Sequence, residues 1–553
     1  MNRRKITTWW AGVLCGVMLA SSAAWAEDKL ERLVVAVAPL GWDTNYSWLQ
    51  SRSGMLDKRP ALEYLVGIDA KTGAYIPQLA EKWEMAPDGK SWTITLRKGV
   101  KFHENWGEFT AKDVRHSIFL ITQPESVMTD AGLWRTLMGL EKGDDLEAGA
   151  KKLETMVEIV NDYQLVLHTK IVAPELVDTI SANNDLVMES KKRWDAGGKE
   201  LYGQKVVGTG PFEFIERKLG GYVLYKRVEN HWRQTPEVKE LEFRWVPEGV
   251  TRLATLMAGE VQISDIDRSL QKDAESKGMK IIPSTQTSIA QEWLFGGMYF
   301  ATPDKLDKKQ PFVDKRVRQA MNMAINRKSI GDNILSGKVE PMLVTRYHPA
   351  VDTNLWPGIW EPSWEKRFPE LYGYNPTKAK ALLKEAGYDK GFEFTVYLFT
   401  LPGMPELSDI GQALALDWEA AGLTPKLVEI DFPRVREQYR TKAIHGSVWP
   451  LRGSPNALNI LRIFNKAQGS VVYAYEHPYI EERLAALGSV VDKAERARLL
   501  REIGEHKFSE FADMPMFWLR AEAGVNPKYI ADYTFPGSIT GFFTHLEYIK
   551  LVK

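Results

Sequence analysis

The 553-residue chain carries 72 basic and 72 acidic residues, is 44% apolar, and contains a single cysteine. Such an even charge balance argues against a nucleic-acid partner, which calls for a markedly basic face or domain. The lone Cys15 excludes a disulfide framework and every cysteine-based metal site.

The first residues, MNRRK followed by TTWWAGVLCGVMLASSAAWA, have the charged, apolar, small-residue order of an export signal. Ala24-Trp25-Ala26 supplies the A-x-A cleavage site, so residues 1–26 are expected to be removed, Cys15 with them, and the product to act in the periplasm. Loss of Arg3, Arg4 and Lys5 leaves 69 basic residues against 72 acidic, a balance of −3. No later run of about 18 apolar residues suggests a membrane span. The remaining length predicts roughly three or four domain-sized units.

In chain order, RLVVAV (32–37) reads as a short buried strand. KSWTITLRKGVKF alternates Trp92, Ile94 and Leu96, turns at Gly99 and resumes with Val100 and Phe102, which predicts paired strands. Pro87-Asp88-Gly89 reads as the turn before it. AKDVRHSIFLI and VTRLATLMAGEV have helical spacing, the second through Val250, Leu253, Leu256, Met257 and Val261. In KRVRQAMNMAINRKSI the face Val317, Ala320, Met321, Ala324 and Ile325 is core-forming. NPTKAKALLKEAG is a capped helix with Asn375 at the N-cap, Pro376 at its first position and Gly387 at its end. A strand with Phe392, Phe394, Val396 and Leu398 on one face follows, then a helix (IGQALALDWEAAG), an apolar strand (KLVEI) and a helix from FPRVREQYRTK. This alternation predicts an α/β unit with a largely parallel sheet.

Catalytic signatures fail on inspection. DGKSW lacks the first glycine of a phosphate loop, because position 84 is Glu84, and GTGPFE has Glu213 where a dinucleotide fingerprint needs its third glycine. HENWG lacks the second histidine of a metalloprotease helix, and GSITG is not a G-x-S-x-G elbow. The nine histidines form no H-x-H or H-x3-H pair. The expectation is a protein that is not an enzyme, with no cofactor and no metal site.

Several segments are similar to those of family 5 extracellular solute-binding proteins of ABC transporters, the dipeptide, oligopeptide and nickel-binding group. They are PQLAEKWEMAPDGKSWTITLRKGVKFHENWGEFTAKDV (77–114), VVGTGPFEFIERKLGGYVLYKRVENHW (206–232), PFVDKRVRQAMNMAINRKSI (311–330) and YGYNPTKAKALLKEAGY (372–388). The resemblance implies an α/β clamshell of the periplasmic-binding-protein type (class II), with two lobes and three structural domains. Mapped by these segments, domain I is 27–58 with 206–290 and 515–553, domain II is 59–205, and domain III, the second lobe, is 291–514. It also implies a monomeric receptor that closes on a small-molecule solute and delivers it to a membrane permease and ATPase made as separate chains. Within GTGPF, Gly208, Gly210 and Pro211 read as scaffold.

The resemblance places SVWPLRGSPNALNIL, from Trp449 onward, at the cleft. Peptide-binding members carry an acidic residue about three positions after that tryptophan, where it meets a peptide amino terminus; this chain has Arg452. Two like charges about 4 Å apart repel by roughly 4 kcal/mol at an effective dielectric of about 20, on the order of a thousandfold in affinity. An anion suits the guanidinium fork better. The rings Trp42, Tyr46, Trp293 and Trp449, with Asn456, complete the expected ligand site. Two cargoes follow: a peptide-like or anionic, opine-like solute favoured by Arg452, and an oligosaccharide favoured by the rings. A secreted enzyme or chaperone on the same clamshell is the competing class.

Overall fold

The computed structural model describes residues 30–39, 43–141, 143–351, 356–401, 403–455, 457 and 475–553. The expected signal, 1–26, lies outside them.

RLVVAV forms strand β1 (Arg32–Val37), buried at every position after Arg32. Gly67 and its neighbours form a small hairpin, β2 (Val66–Ile68) with β3 (Tyr75–Pro77). The turn at Gly89, φ +67°, joins β4 (Ala80–Met85) to β5 (Ser91–Leu96), whose alternation buries Trp92, Ile94 and Leu96 as its period of two requires. β5 then pairs with β7 (Gln164–His168), which pairs with β6 (Val157–Asn161). The expected second strand at Val100 and Phe102 is absent: those residues are buried, but only an isolated bridge, Lys101 to Glu108, forms there. The helix Ala111–Thr122 follows as predicted, its start closed by the Asp113 carboxylate accepting the Thr110 N–H at 2.8 Å.

Among the described residues one eleven-stranded sheet runs through the molecule. Its first part comprises β1, β8 (Phe212–Lys218), β9 (Tyr222–Arg227), β10 (Glu240–Trp245) and β11 (Ile263–Ser264). The helix Gly249–Ala258 packs on it through Leu253 and Leu256, but Val250 and Met257 are exposed, because the face in contact is narrower than the apolar spacing suggested. The other end comprises β15 (Glu393–Leu398), parallel to both β16 (Thr424–Glu429) and β17 (Ser447–Gly453). The helices Leu407–Ala420 and Phe432–Arg440 link these strands, so the predicted alternation is present. The capped helix is also as expected: Asn375 accepts the Lys378 N–H at 2.9 Å, and Gly387 has φ +89°.

Two long strands join the ends. β12 (Lys280–Phe295) and β19 (Asp513–Val525) pair antiparallel, with register breaks between Pro283 and Ile289 and again at Gln291, and the short β14 (Glu340–Pro341) pairs with β19 as the eleventh strand. Their halves belong to different cores. Ala521, Ala523 and Val525 pack with residues 33–263, whereas Ile289, Trp293, Phe517 and Leu519 pack with residues 294–512. The architecture is an α/β clamshell whose two cores are connected by strands that bend between them.

Candidate functional site

A cavity of about 1040 Å³ opens between the two cores. One wall is the β2–β3 hairpin with the 182–184 loop; another is the C-terminal segment 532–548. Gln286 to Ser288 of β12 form its back, and Ser454 and Pro455, just after β17, represent the second core.

Arg452 precedes the lining residues Ser454 and Pro455 and does not itself line the cavity. SVWPLRG forms strand β17, in which every residue is buried. β17 lies antiparallel to β12, with Arg452 opposite Gln291, Pro450 opposite Trp293 and Trp449 opposite Leu294. Because strand side chains alternate, residues three apart point to opposite faces. The expected grouping of Trp449 with Arg452 is therefore not formed. Trp449 is fully buried and stacks on Tyr439 with ring centroids 3.9 Å apart. Trp293 is also fully buried and faces Gly411 of the helix Leu407–Ala420, on the opposite side of the sheet from Trp449. Tyr46 packs on Trp48 and against Gly203, away from the lining of this cavity. Trp42 and Asn456 lie outside the described residues.

Arg452 is only 9% exposed and spans the two cores. Its Nη1 donates to the Ile539 carbonyl at 2.5 Å and its Nη2 to Ser53 Oγ at 3.2 Å, both neutral acceptors. The neighbouring guanidiniums have their own carboxylates. Arg52 binds Asp130 at 2.9 Å and Asp185 at 3.0 Å; burial opposes its charge, but these partners outweigh burial and hold it above the ordinary arginine range. Arg346 Nε donates to Glu292 at 2.9 Å. Arg452 has no carboxylate partner among the described residues, and burial, then the fields of Arg52 and Arg346, push its pKa down to about 9. Burial pushes Glu292 up to about 7 against the pull of Arg346. A buried cation held only by neutral groups is a ready receptor for an anion.

Arg52, Arg346 and the Ile539 carbonyl were not foreseen from the sequence. They come from segments 87 to 400 residues away from Arg452, and no local pattern marks them. No group of three metal-ligating side chains occurs among the described residues, and none of their helices is long and apolar enough to cross a membrane.

A bent pair of crossing strands, two cores and a cavity between them define a clamshell binding protein. The model of the bacterial extracellular solute-binding proteins, family 5 (Middle), matches residues 74–468, and the chain belongs to this family. It is 27% identical over 395 residues to the dipeptide-binding protein of Escherichia coli (strain K12), covering 68% of this chain and 66%, just under two thirds, of that protein. It is 25% identical over 439 residues to heme-binding protein A of Haemophilus influenzae, covering 77% of this chain and 76% of that one. The fold resembles that of the binding protein AgaA of A. tumefaciens R10, solved with agropinic acid: TM-score 0.73, 20% identity, 94% of this chain and 99% of that one.

Proposed function

We propose that this protein is the periplasmic receptor of an ABC importer, a monomer that captures a small organic solute between its lobes and presents it to a membrane permease and its ATPase. Family membership over residues 74–468 supports the receptor role, and relatives named for dipeptides and heme support a solute of that size. Residues 1–26 are its export signal in this reading. Three structural domains, 27–58 with 206–290 and 515–553, then 59–205, then 291–514, belong to this reading; the change of core along β12 and β19 supports two lobes. Binding, not turnover, is its task, so a bound solute is recovered chemically intact.

The cargo is a peptide-like or opine-like solute with an anionic group near Arg452. The single observation that carries this choice is the buried guanidinium whose partners among the described residues are all neutral. The rings that would favour an oligosaccharide present no flat face for stacking: Trp293 packs its ring against Gly411 and Trp449 lies on Tyr439. Native mass spectrometry of unrefolded protein, followed by a thermal-shift screen of peptides, opines, organic acids and oligosaccharides, tests the reading. Arg452→Ala lowers affinity for the solute so found by roughly 2 to 4 kcal/mol, the range for breaking a desolvated charge pair. A loss under about 0.5 kcal/mol puts the anion elsewhere. Shifts from neutral sugars alone overturn the choice of cargo.

A further inference from the structure

Beside Arg452, the same face of the β12–β17 ladder carries polar groups that the fold leaves unpaired. Gln291 lies directly opposite Arg452, and Trp293 is two residues along β12, so all three side chains project from one face. Gln291 and Trp293 are completely buried. Among the described residues, neither the amide nitrogen nor the amide oxygen of Gln291 has a hydrogen-bond partner, and the same holds for Trp293 Nε1 and Arg452 Nε. Directly opposed residues on a ladder bring their Cβ atoms to about 5 Å, yet Gln291 and Arg452 do not bond to each other.

Buried polar groups are normally paired, and each one left alone costs free energy comparable to a lost hydrogen bond. Four such atoms on three adjoining side chains form one buried polar cluster. Their chemistry specifies the partner they suit. Arg452 Nε, Trp293 Nε1 and Gln291 Nε2 are donors only, whereas Gln291 Oε1 is the one acceptor. Three donors, one of them cationic, suit a carboxylate, which only accepts. The lone acceptor suits an N–H or O–H next to it.

We propose that Gln291, Trp293 and Arg452 together form the docking point for the solute's carboxylate, and that Gln291 reads a hydrogen-bond donor on the neighbouring atom. The inference rests on the receptor reading above and names its substrate class: acids bearing an amide, amine or hydroxyl beside the carboxylate. Arg452 supplies the charge; Gln291 and Trp293 are the specificity-determining residues. The opposite face, with Glu292, Arg346 and Trp449, takes no part.

Isothermal titration of the unaltered protein with alanyl-alanine, N-acetylalanine and N-(1-carboxyethyl)alanine, each beside its carboxamide counterpart, tests the proposal. The acid binds about 100-fold or more tightly than the amide, because an amide presents a donor where the site has donors. Gln291→Leu lowers affinity for the acid about tenfold and Trp293→Phe somewhat less, with the melting temperature kept or raised as an unpaired polar group is removed. Equal binding of acid and amide, or a Gln291→Leu variant with unchanged affinity, overturns the docking point and leaves the receptor standing. If no probe binds and no solute co-purifies, the receptor reading fails and this inference with it. The acid and amide comparison needs no variant, so misfolding of a substituted protein does not blunt the test.

Discussion

Far from β12 and β19 the two cores touch again, and one ion pair there should control closure. Arg496 donates to Glu175, and also to the carbonyls of Leu487 and Val490 at the end of the helix Pro478–Leu487. Beside it the Val172 N–H donates to the Gly488 carbonyl at 3.0 Å, and Gly89 abuts Val491. The Arg496 and Glu175 side chains are only 2% and 14% exposed. Burial raises the Glu175 carboxyl above its ordinary range, more than Arg496 lowers it, so the intact pair adds little net stability. Breaking it is another matter, since Glu175→Gln leaves a buried guanidinium without its counter-charge. Loss of one partner of a buried pair costs about 3 to 5 kcal/mol; the amide oxygen of Gln and the two carbonyls recover part, leaving about 2 kcal/mol. That cost falls on the state in which the cores touch, because both side chains are solvated once they separate. Affinity for the solute should drop roughly thirtyfold, with the radius of gyration of the free protein raised in small-angle scattering and each core's melting little changed. Unchanged affinity and radius in a folded Glu175→Gln protein would refute this account of the contact.

Three further outcomes follow from packing and charge. A methyl group on Gly208 would sit 2.0 Å from the Ala61 carbonyl oxygen, backbone against backbone, so Gly208→Ala should cost at least about 3 kcal/mol in urea unfolding; a cost below about 1 kcal/mol contradicts the geometry. Trp449→Ala should lose about 3 to 5 kcal/mol of stability, as expected for an aromatic fully buried on Tyr439; a loss of solute affinity at full stability would return the ring to the binding site. Burial, then Lys191, pushes His116 down to about 3, beside Tyr202 and Trp194. The unfolded chain, with a histidine pKa near 6.5, binds more protons below that pH, so this contribution is complete above about pH 6.5 and is lost as pH falls towards 3, about 5 kcal/mol across the window. The melting temperature of His116→Gln should therefore fall less steeply on acidification than that of the unaltered protein; parallel slopes would show that His116 is not buried neutral.

Local chemistry made much of the fold readable in advance. Asn375 and Gly387 bound a helix whatever surrounds it, and the alternation of Phe394, Val396 and Leu398 marks one buried strand face. These signals survive because caps, turns and periodicity act within a few residues. Matched segments spread along the chain were enough to identify the family, because they preserve the scaffold that all its members share.

The binding site is a different case. Read along the chain, Trp449 and Arg452 are neighbours; in the fold they occupy opposite faces of β17, because a strand alternates its side chains where a turn would have gathered them. Which side chains stand beside Arg452 depends on β12 meeting β17 in one register, and on Ser53 and Ile539 arriving from the other core. By itself the sequence determined the class of machine and the presence of an unusual cation. Only the tertiary structure decided that this cation is buried with no counter-charge among the described residues and stands opposite a Gln291 that they leave unpaired, since pairing across hundreds of residues leaves no local trace.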